Sequence, residues 1–121
     1  MIYKETKVDI LDSSGAIWAK CIGLYRQQRV AKAGDIIIVT VKQAKANKRA
    51  KKGELYKALV VQTKSFIKRK AGNSVSLQNN SVVLLKREGL VPLANRLRGY
   101  VYLELRKKGF SRIISMSLGF V

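Results

Sequence analysis

The sequence predicts a mainly β fold: a small closed barrel with a long basic hairpin arm and short C-terminal helices. Three observations support this prediction. Short apolar or alternating runs recur up to Lys86 with turn residues between them, as is typical of a barrel of short strands. Two of these runs flank a Lys-rich stretch that has almost no apolar side chain larger than Ala. From Pro92 onward, the strand pattern is replaced by irregular and helical segments.

Length and charge narrow the class of protein before any motif is considered. The 121 residues are expected to form one domain, residues 1–121, which is long enough to bury a hydrophobic core. A net charge of +18 implies a polyanionic partner, either nucleic acid or an anionic membrane. The chain has no apolar run near 18 residues and no long basic amphipathic helix, so nucleic acid is favoured and no membrane partner is expected.

The first two strands are predicted around a tight turn. Residues 7–12 alternate between polar and apolar side chains, which indicates a half-buried strand. Ser13, Ser14 and Gly15 form the turn, and residues 16–24 form the second strand. Trp18 in this strand could stack on a nucleic-acid base, although a place in the core or on the barrel surface is favoured.

The third and fourth strands are predicted at residues 34–41 and 55–63, joined by the arm at about residues 42–57. The stretch from position 42 to position 70 holds eleven Lys or Arg and a single acid, Glu54. Like charges on a narrow arm repel one another unless an anion lies against them. The expected RNA-binding residues here are Lys42, Lys45, Lys48, Arg49, Lys51 and Lys52 in the arm, and Lys64, Lys68, Arg69 and Lys70 after the returning strand.

The later segments complete the barrel and then depart from it. Residues 74–78 and 81–86 are predicted as short strands. Closure of the barrel would bury their apolar side chains both in the barrel interior and beneath a covered outer face. Residues 92–99 are irregular, while residues 102–108 form a short helix that ends at Gly109. The apolar residues 110–121 should pack back on the barrel, so that residues 92–121 form the C-terminal segment.

Catalytic chemistry is not expected from these residues. The chain has no His, and Cys21 is its single cysteine, in an apolar stretch where a buried thiol is the favoured interpretation. Asp9 and Asp12 are the closest acids, and their place beside a Ser-Ser-Gly turn favours a capping role. We therefore predict no enzyme activity, no cofactor and no metal site.

The order of motifs resembles a known family, the universal large-subunit ribosomal protein that bacterial naming numbers fourteen. Each motif alone is short, but the ordered set extends over almost the whole chain. The matching motifs are Thr6-Lys7-Val8, Asp12-Ser13-Ser14-Gly15-Ala16, Lys20-Cys21-Ile22, Gly34-Asp35-Ile36-Ile37, Val41-Lys42-Gln43-Ala44, Lys51-Lys52-Gly53-Glu54, Lys57 to Lys64, Val83-Leu84-Leu85, Arg96 with Gly99 and Val101, Glu104-Leu105-Arg106, and Phe110 to Ser115.

This resemblance implies a five-stranded barrel with a protruding β-ribbon, bound to large-subunit rRNA at the interface with the small subunit. It also implies contact with the large-subunit proteins numbered three and nineteen, and with a silencing factor that blocks subunit joining. The subunit-facing or protein-binding residues are then expected to be Asn95, Arg96 and Arg98, with small-subunit rRNA opposite them. Three further cations of the C-terminal segment, Arg106, Lys107 and Arg112, are expected to bind RNA.

Several positions depart from the family pattern. The Pro and Gly of the arm tip are absent from residues 46–50, and Tyr100 replaces a Pro after Gly99. Residues 116–119 replace the family's Leu-Ala-Pro-Glu ending. This drift, without a targeting extension, leads us to expect a protein of the mitochondrial ribosome in the matrix; the bacterial cytoplasm or a plastid is the alternative.

Two function classes remain open from the sequence alone. The first is a structural rRNA-binding protein of the large subunit, acting in translation. The alternative is a free single-strand nucleic-acid-binding barrel, which requires aromatic side chains along a groove. Tyr56 and Phe66 are the only aromatics within the basic stretch.

Overall fold

Five strands close into a β-barrel in the computed structural model, which describes residues 2–25, 29–65, 67–69 and 72–121. The remaining strands form two small two-stranded sheets beside the barrel. In chain order the elements are β1 (Lys7–Ile10), β2 (Ala16–Leu24), β3 (Ile36–Ala44), β4 (Leu55–Gln62), β5 (Ile67–Lys68), β6 (Ser74–Val75), β7 (Ser81–Leu85), β8 (Tyr100–Val101), α1 (Glu104–Lys107), α2 (Ser111–Met116) and β9 (Gly119–Phe120).

The barrel closes through its last strand. Strands β1 to β4 pair in sequence as antiparallel neighbours, and β7 lies antiparallel to β4. Strand β7 also pairs with β1 in a parallel register, with Asp9 opposite Ser81. Every barrel strand therefore has two neighbours, which removes the exposed sheet edges that small β proteins must otherwise protect. The predicted five-stranded barrel is confirmed.

The interior of the barrel is a cluster of small and β-branched side chains. Val8 and Ile10 of β1 point inward while Lys7 and Asp9 point outward, as the alternation predicts. Cys21 is fully buried in this cluster, and burial raises the pKa of its thiol. The cysteine is therefore a packing residue whose thiolate is disfavoured. The other interior residues of the strands are Ala16, Ala19, Ile37, Val39, Val41, Ala58, Val60, Val82 and Leu84.

A second apolar cluster covers the outside of β4 and β7. Leu59 and Val61 of β4 and Val83 and Leu85 of β7 face outward and contact residues of the C-terminal segment, including Leu105. All five residues of β7 are consequently buried, because one side meets the interior and the other meets this covering layer. The continuous apolar runs of these strands are thus explained, as predicted, by burial on both faces of the sheet. The C-terminal residues contributing to the layer are Leu97, Val101, Leu105, Phe110 and Ile113.

The C-terminal segment is held to the barrel by polar as well as apolar contacts. The buried Tyr102 hydroxyl donates to the carbonyl oxygen of Thr63 at 2.8 Å and accepts from the backbone N–H of Leu77 at 3.0 Å. Helix α1 is shorter than predicted, since Tyr102 precedes it as an anchor. Gly109 follows the helix with φ of 90°, a left-handed conformation that glycine adopts without strain, as expected for the residue after a helix C-cap.

The segment between β3 and β4 differs from the predicted protruding arm. Strand pairing between β3 and β4 runs from Ile36 opposite Leu59 to Thr40 opposite Leu55, and backbone hydrogen bonds of Val41 with Gly53 and Glu54 continue it by one residue. The Lys45 N–H donates to the carbonyl oxygen of Gly15 at 2.8 Å, which continues the β2–β3 pairing by one residue. The residues after it return to the β1–β2 turn, where the Ala50 N–H donates to the carbonyl oxygen of Ser14 at 3.0 Å. We call residues 45–54 the basic loop from here on.

Two sequence features allow this return. Ala50 is small enough to be buried against the barrel, with 1% of its surface exposed. Gly15 has φ of 99°, and a Cβ there would lie 2.2 Å from the Cβ of Lys48. Any larger residue at position 15 would push the basic loop away from the β1–β2 turn.

The predicted strand at residues 74–78 is also shorter in the structure. Only Ser74–Val75 is extended and paired, and its partner is Ile67–Lys68 rather than a barrel strand. The backbone N–H of Leu77 donates to the Tyr102 hydroxyl at 3.0 Å and to the carbonyl oxygen of Thr63 at 3.1 Å, so it does not extend the β5–β6 ladder. This small hairpin therefore lies beside the barrel and carries Lys68 and Arg69.

Candidate nucleic-acid interface

A buried carboxylate organises the surface that carries the predicted interface residues. Asp12 is fully buried, and one of its oxygens accepts from the Ser14 N–H at 3.1 Å and the Ser14 hydroxyl at 2.5 Å. Its other oxygen accepts from the backbone N–H of Leu84 at 3.0 Å. Burial raises the pKa of Asp12, although these hydrogen bonds and the charge of Arg98 oppose the increase. The predicted capping role of Asp12 is confirmed.

The backbone around Asp12 fixes the segment at residues 95–98. The backbone N–H of Ser13 donates to the carbonyl oxygen of Arg96 at 3.1 Å, and the backbone N–H of Arg98 donates to the carbonyl oxygen of Leu11 at 2.9 Å. Leu97 is buried between the two arginines, which anchors the segment while both guanidinium groups stay exposed. Asn95 is exposed as well. The structure therefore presents the three predicted subunit-facing side chains together, on a backbone that is held at several points.

The basic loop lies directly beside this segment. The Arg49 guanidinium donates to the carbonyl oxygen of Leu93 at 2.7 Å, which links the loop to the start of the C-terminal segment. An open cleft of about 280 Å³ lies between them. The sequence predicts separate roles for Arg49 and Asn95, because no local pattern indicates a contact such as that of Arg49 with Leu93 across 44 positions. The cleft is lined by Ser13, Asn47, Lys48, Arg49, Ala94 and Asn95.

The other predicted RNA-binding cations are spread over several surfaces. Those in the basic loop and on its approach are exposed, and so are those of the C-terminal helices. Lys64 follows β4, where its backbone N–H donates to the Asn80 side chain at 3.0 Å. Lys70 and Phe66 lie outside the described residues. The exposed cations are Lys42, Lys45, Lys48, Arg49, Lys51, Lys52, Lys64, Lys68, Arg106, Lys107 and Arg112.

Arg69 differs from these residues because its guanidinium is engaged within the protein. Its Nε lies 2.8 Å from Oε1 of Glu104, and Nη2 lies 3.4 Å from Oε2. Nη2 also donates to the carbonyl oxygen of Val121 at 2.5 Å. Arg69 therefore joins the small hairpin to helix α1 and to residue 121. The structure gives Arg69 a structural role, and its role in RNA binding stays a prediction.

The Arg69–Glu104 pair predicts a pH dependence of stability. Burial alone would raise the pKa of Glu104, but the hydrogen bond and charge of Arg69, a backbone hydrogen bond and the charge of Lys107 together lower it below its ordinary value. A carboxylate whose pKa is lowered by folding stabilises the fold at pH values above its unfolded-state pKa. This stabilisation is lost as the pH falls through the folded-state pKa. Thermal melts from pH 7 to pH 3 should show wild type losing its advantage over Glu104→Gln below about pH 4.3. An advantage that is independent of pH would contradict this role of the pair.

Tyr56 bears on the alternative of a free single-strand binder. Its ring packs against the barrel core, and its hydroxyl donates to Glu54 at 2.6 Å. Burial, together with this hydrogen bond, raises the pKa of Tyr56. The ring is therefore part of the barrel packing, and it does not form a platform on which successive bases could stack.

The described residues include one larger surface groove outside this interface. An open groove of about 530 Å³ is lined by residues that include Tyr25, Leu90 and Phe110, and its one acid, Asp35, lies 3.7 Å from the Lys108 ammonium. Within residues 2–25, 29–65, 67–69 and 72–121, no three His, Cys, Asp or Glu side chains are grouped as metal ligands. No helix in the same residues has the length and apolar character needed to span a bilayer.

Comparison with known proteins identifies the family. The family model described as ribosomal protein L14p/L23e matches residues 1–121. The large ribosomal subunit protein uL14 of Aquifex aeolicus (strain VF5) is 37% identical to this chain over 118 residues, which cover 97% of each protein. The match includes the barrel, the basic loop and the C-terminal segment. The chain belongs to the ribosomal protein L14p/L23e family, as the order of its motifs predicts.

Proposed function

We propose that this protein is a structural constituent of the large ribosomal subunit, that it binds rRNA and that it acts in translation without enzyme activity. The observation that carries the proposal is the family match over the whole chain. The charge distribution supports it, since exposed cations project from backbone segments that the barrel holds in place. Among them are Lys48 and Arg49 of the basic loop and Arg96 and Arg98 of the neighbouring segment.

The proposed mechanism of binding is electrostatic. Exposed Lys and Arg side chains neutralise rRNA phosphates and release condensed counterions, which gives an affinity that falls steeply with salt. Folded RNA has a deep and narrow major groove, so recognition depends on the shape of the RNA, its backbone and its 2′-hydroxyl groups. The barrel contributes a rigid support, because binding residues on loops gain precision from the scaffold that carries them.

The finer parts of the proposal concern position and partners. Asn95, Arg96 and Arg98 form one exposed surface, which we assign to small-subunit rRNA and to a ribosome-silencing factor. The large-subunit proteins numbered three and nineteen are the proposed protein neighbours. Large-subunit rRNA occupies the basic loop and the cations of the C-terminal helices. We also propose the mitochondrial ribosome as the location of the protein, with a bacterial or plastid ribosome as the alternative.

Sedimentation of a cell lysate at high salt tests the proposal as a whole. A stably assembled constituent remains in the large-subunit peak, because many contacts must dissociate together before it leaves. A free single-strand-binding barrel is instead released to the top fractions, since each of its contacts is weakened by salt. Release at high salt from an otherwise intact subunit would therefore favour the alternative function.

Lys51 and Lys52 allow the electrostatic mechanism to be tested at defined sites. Both are exposed in the basic loop, so Lys51→Ala and Lys52→Ala should change the free energy of unfolding by less than about 0.5 kcal/mol each. Each lost phosphate contact should reduce the slope of log affinity for rRNA against log salt by roughly one unit. Lys4→Ala and Lys86→Ala, on exposed positions outside the loop, are the matched controls.

A slope that is the same in the Lys51 and Lys52 variants as in the controls would show that the loop is merely solvated. Arg49 is not suitable for this comparison, because its bond to Leu93 also holds the loop in place. Arg49→Ala is expected to cost about 1 kcal/mol of stability in addition to any effect on RNA.

A further inference from the structure

Trp18 lies on the outer surface of the barrel, and neither apolar cluster includes it. It pairs across the sheet with the outward-facing Asp9, and its ring is partly exposed. The indole N–H donates to the Gln43 side-chain oxygen at 3.1 Å, which fixes the orientation of the ring on the sheet. The ammonium group of Lys7 lies 4.7 Å from the ring centroid. The single tryptophan of the chain is thus oriented on the surface without being a core residue.

The face that carries Trp18 is uncovered in the described part of the chain. The C-terminal segment covers β4 and β7, and the apolar cluster beneath it includes no side chain from β1 or β2. Outward-facing residues of β1 and β2 remain exposed or partly exposed. The same barrel therefore has one outer face that this chain closes and another that it leaves open.

The cations on the open face are placed to meet an anion. Lys20 is engaged by Glu5, with 3.2 Å between Nζ and Oε2. Lys7 and Lys42 are exposed, and neither has a carboxylate within salt-bridge distance among the described residues. Only the cation–π contact with Trp18 holds Lys7 in the described structure, so its ammonium can move to a phosphate at little cost.

We propose that Trp18 is a stacking platform for one unpaired rRNA base, with Lys7 and Lys42 on the adjoining phosphates. This inference rests on the proposed function and names a site for it. The base takes the place of the Lys7 ammonium over the indole ring, and Lys7 turns to the backbone of the same nucleotide. A base has a π-face of the required size, and such stacking depends little on which base is present.

The chemistry of this face favours a nucleotide over a protein side chain. Lys7 lies over the ring, Gln43 accepts from the indole N–H, and Asp9 is opposite Trp18 on the neighbouring strand. An apolar protein anchor on this face would desolvate such polar groups without giving them new partners. A nucleotide offers an apolar face to the indole, polar edges to the neighbouring side chains and a negative charge to the lysines. The surroundings of Trp18 therefore match the three parts of a nucleotide.

Because Trp18 is the only tryptophan, its fluorescence reports on this site alone when excitation avoids the tyrosines. Titration with protein-free large-subunit rRNA, or with a single-stranded adenine oligonucleotide, should quench the emission as binding saturates. Heparin, a polyanion without bases, is the control for charge alone. Quenching by heparin equal to that by RNA would overturn the proposal, as would rRNA binding in a filter assay with unchanged Trp18 emission.

Two variants extend the test to affinity. Trp18→Leu should weaken binding of the adenine oligonucleotide about tenfold, whereas Trp18→Phe, which keeps an aromatic ring, should remain within about threefold of wild type. Equal losses in the two variants, with both still folded by circular dichroism, would contradict a stacking role. If Trp18→Leu does not fold, the comparison of RNA with heparin on the wild-type chain decides the question. Failure of the wild type to bind rRNA at all would instead count against the proposed function.

Discussion

Asp12→Ala is expected to lower the free energy of unfolding by about 3 kcal/mol. The variant removes a carboxylate that accepts from the Ser14 N–H, the Ser14 hydroxyl and the Leu84 N–H in a fully buried position. The Leu84 N–H would then lie in the interior without an acceptor, and leaving a buried donor unpaired costs more than the bond itself contributes. The turn, strand β7 and the segment carrying Arg96 and Arg98 would all lose a common support.

Chemical denaturation of the purified variant measures this loss, with Asp9→Ala as the matched control. Asp9 lies on β1, three residues before Asp12, and is exposed, so its replacement should change stability by less than about 0.5 kcal/mol. Asp12→Asn should recover little of the loss, since an amide has one acceptor oxygen where the carboxylate uses two. Equal stability of the Asp12→Ala and Asp9→Ala variants would show that Asp12 does not organise this region.

Local sequence patterns predicted a strand correctly where the residues of that strand alone determine its bounds. Residues 16–24 were predicted as a strand and form one with the same bounds, because a mostly apolar run of strand length lies there between a turn and a polar link. Asp12 and Gly109 were also assigned correctly, since a capping carboxylate and a glycine after a helix act within a few residues. Such features depend on residues that are close together in the sequence, so one sequence is enough to predict them.

Long-range contacts account for what the sequence did not predict. The basic loop folds back because Lys48 fits against Gly15 and Arg49 reaches Leu93, and neither contact leaves a periodic signal. Arg69 was grouped with the RNA-binding cations for its charge, but Glu104 lies 35 positions away and engages it. A basic residue in a charged run can serve a ligand or a distant acid, and only the fold distinguishes the two.

The surface formed by Arg96 and Arg98 leads to the prediction with the largest functional effect. Reversing both charges, as Arg96→Glu with Arg98→Glu, should leave assembly into the large subunit intact but weaken joining to the small subunit about tenfold or more. Both guanidinium groups are exposed, and the backbone between them is anchored by the buried Leu97. Folding should therefore survive, while two carboxylates would repel the phosphates of a facing rRNA.

Lys4→Glu with Lys86→Glu is the control for this experiment, because it changes the net charge equally at two exposed positions outside the surface. Sucrose-gradient profiles at several Mg²⁺ concentrations would separate free large subunits from joined ribosomes in cells that carry either the Arg96/Arg98 variant or the control variant. Loss of the Arg96/Arg98 variant from large subunits would place the two arginines against large-subunit rRNA instead. That outcome would be consistent with the cleft shared by Arg49 and Asn95, where RNA held by the basic loop could extend to the neighbouring segment. Normal assembly with impaired joining would assign the two arginines to the small-subunit side, and the basic loop would then be the part that holds the protein in its own subunit.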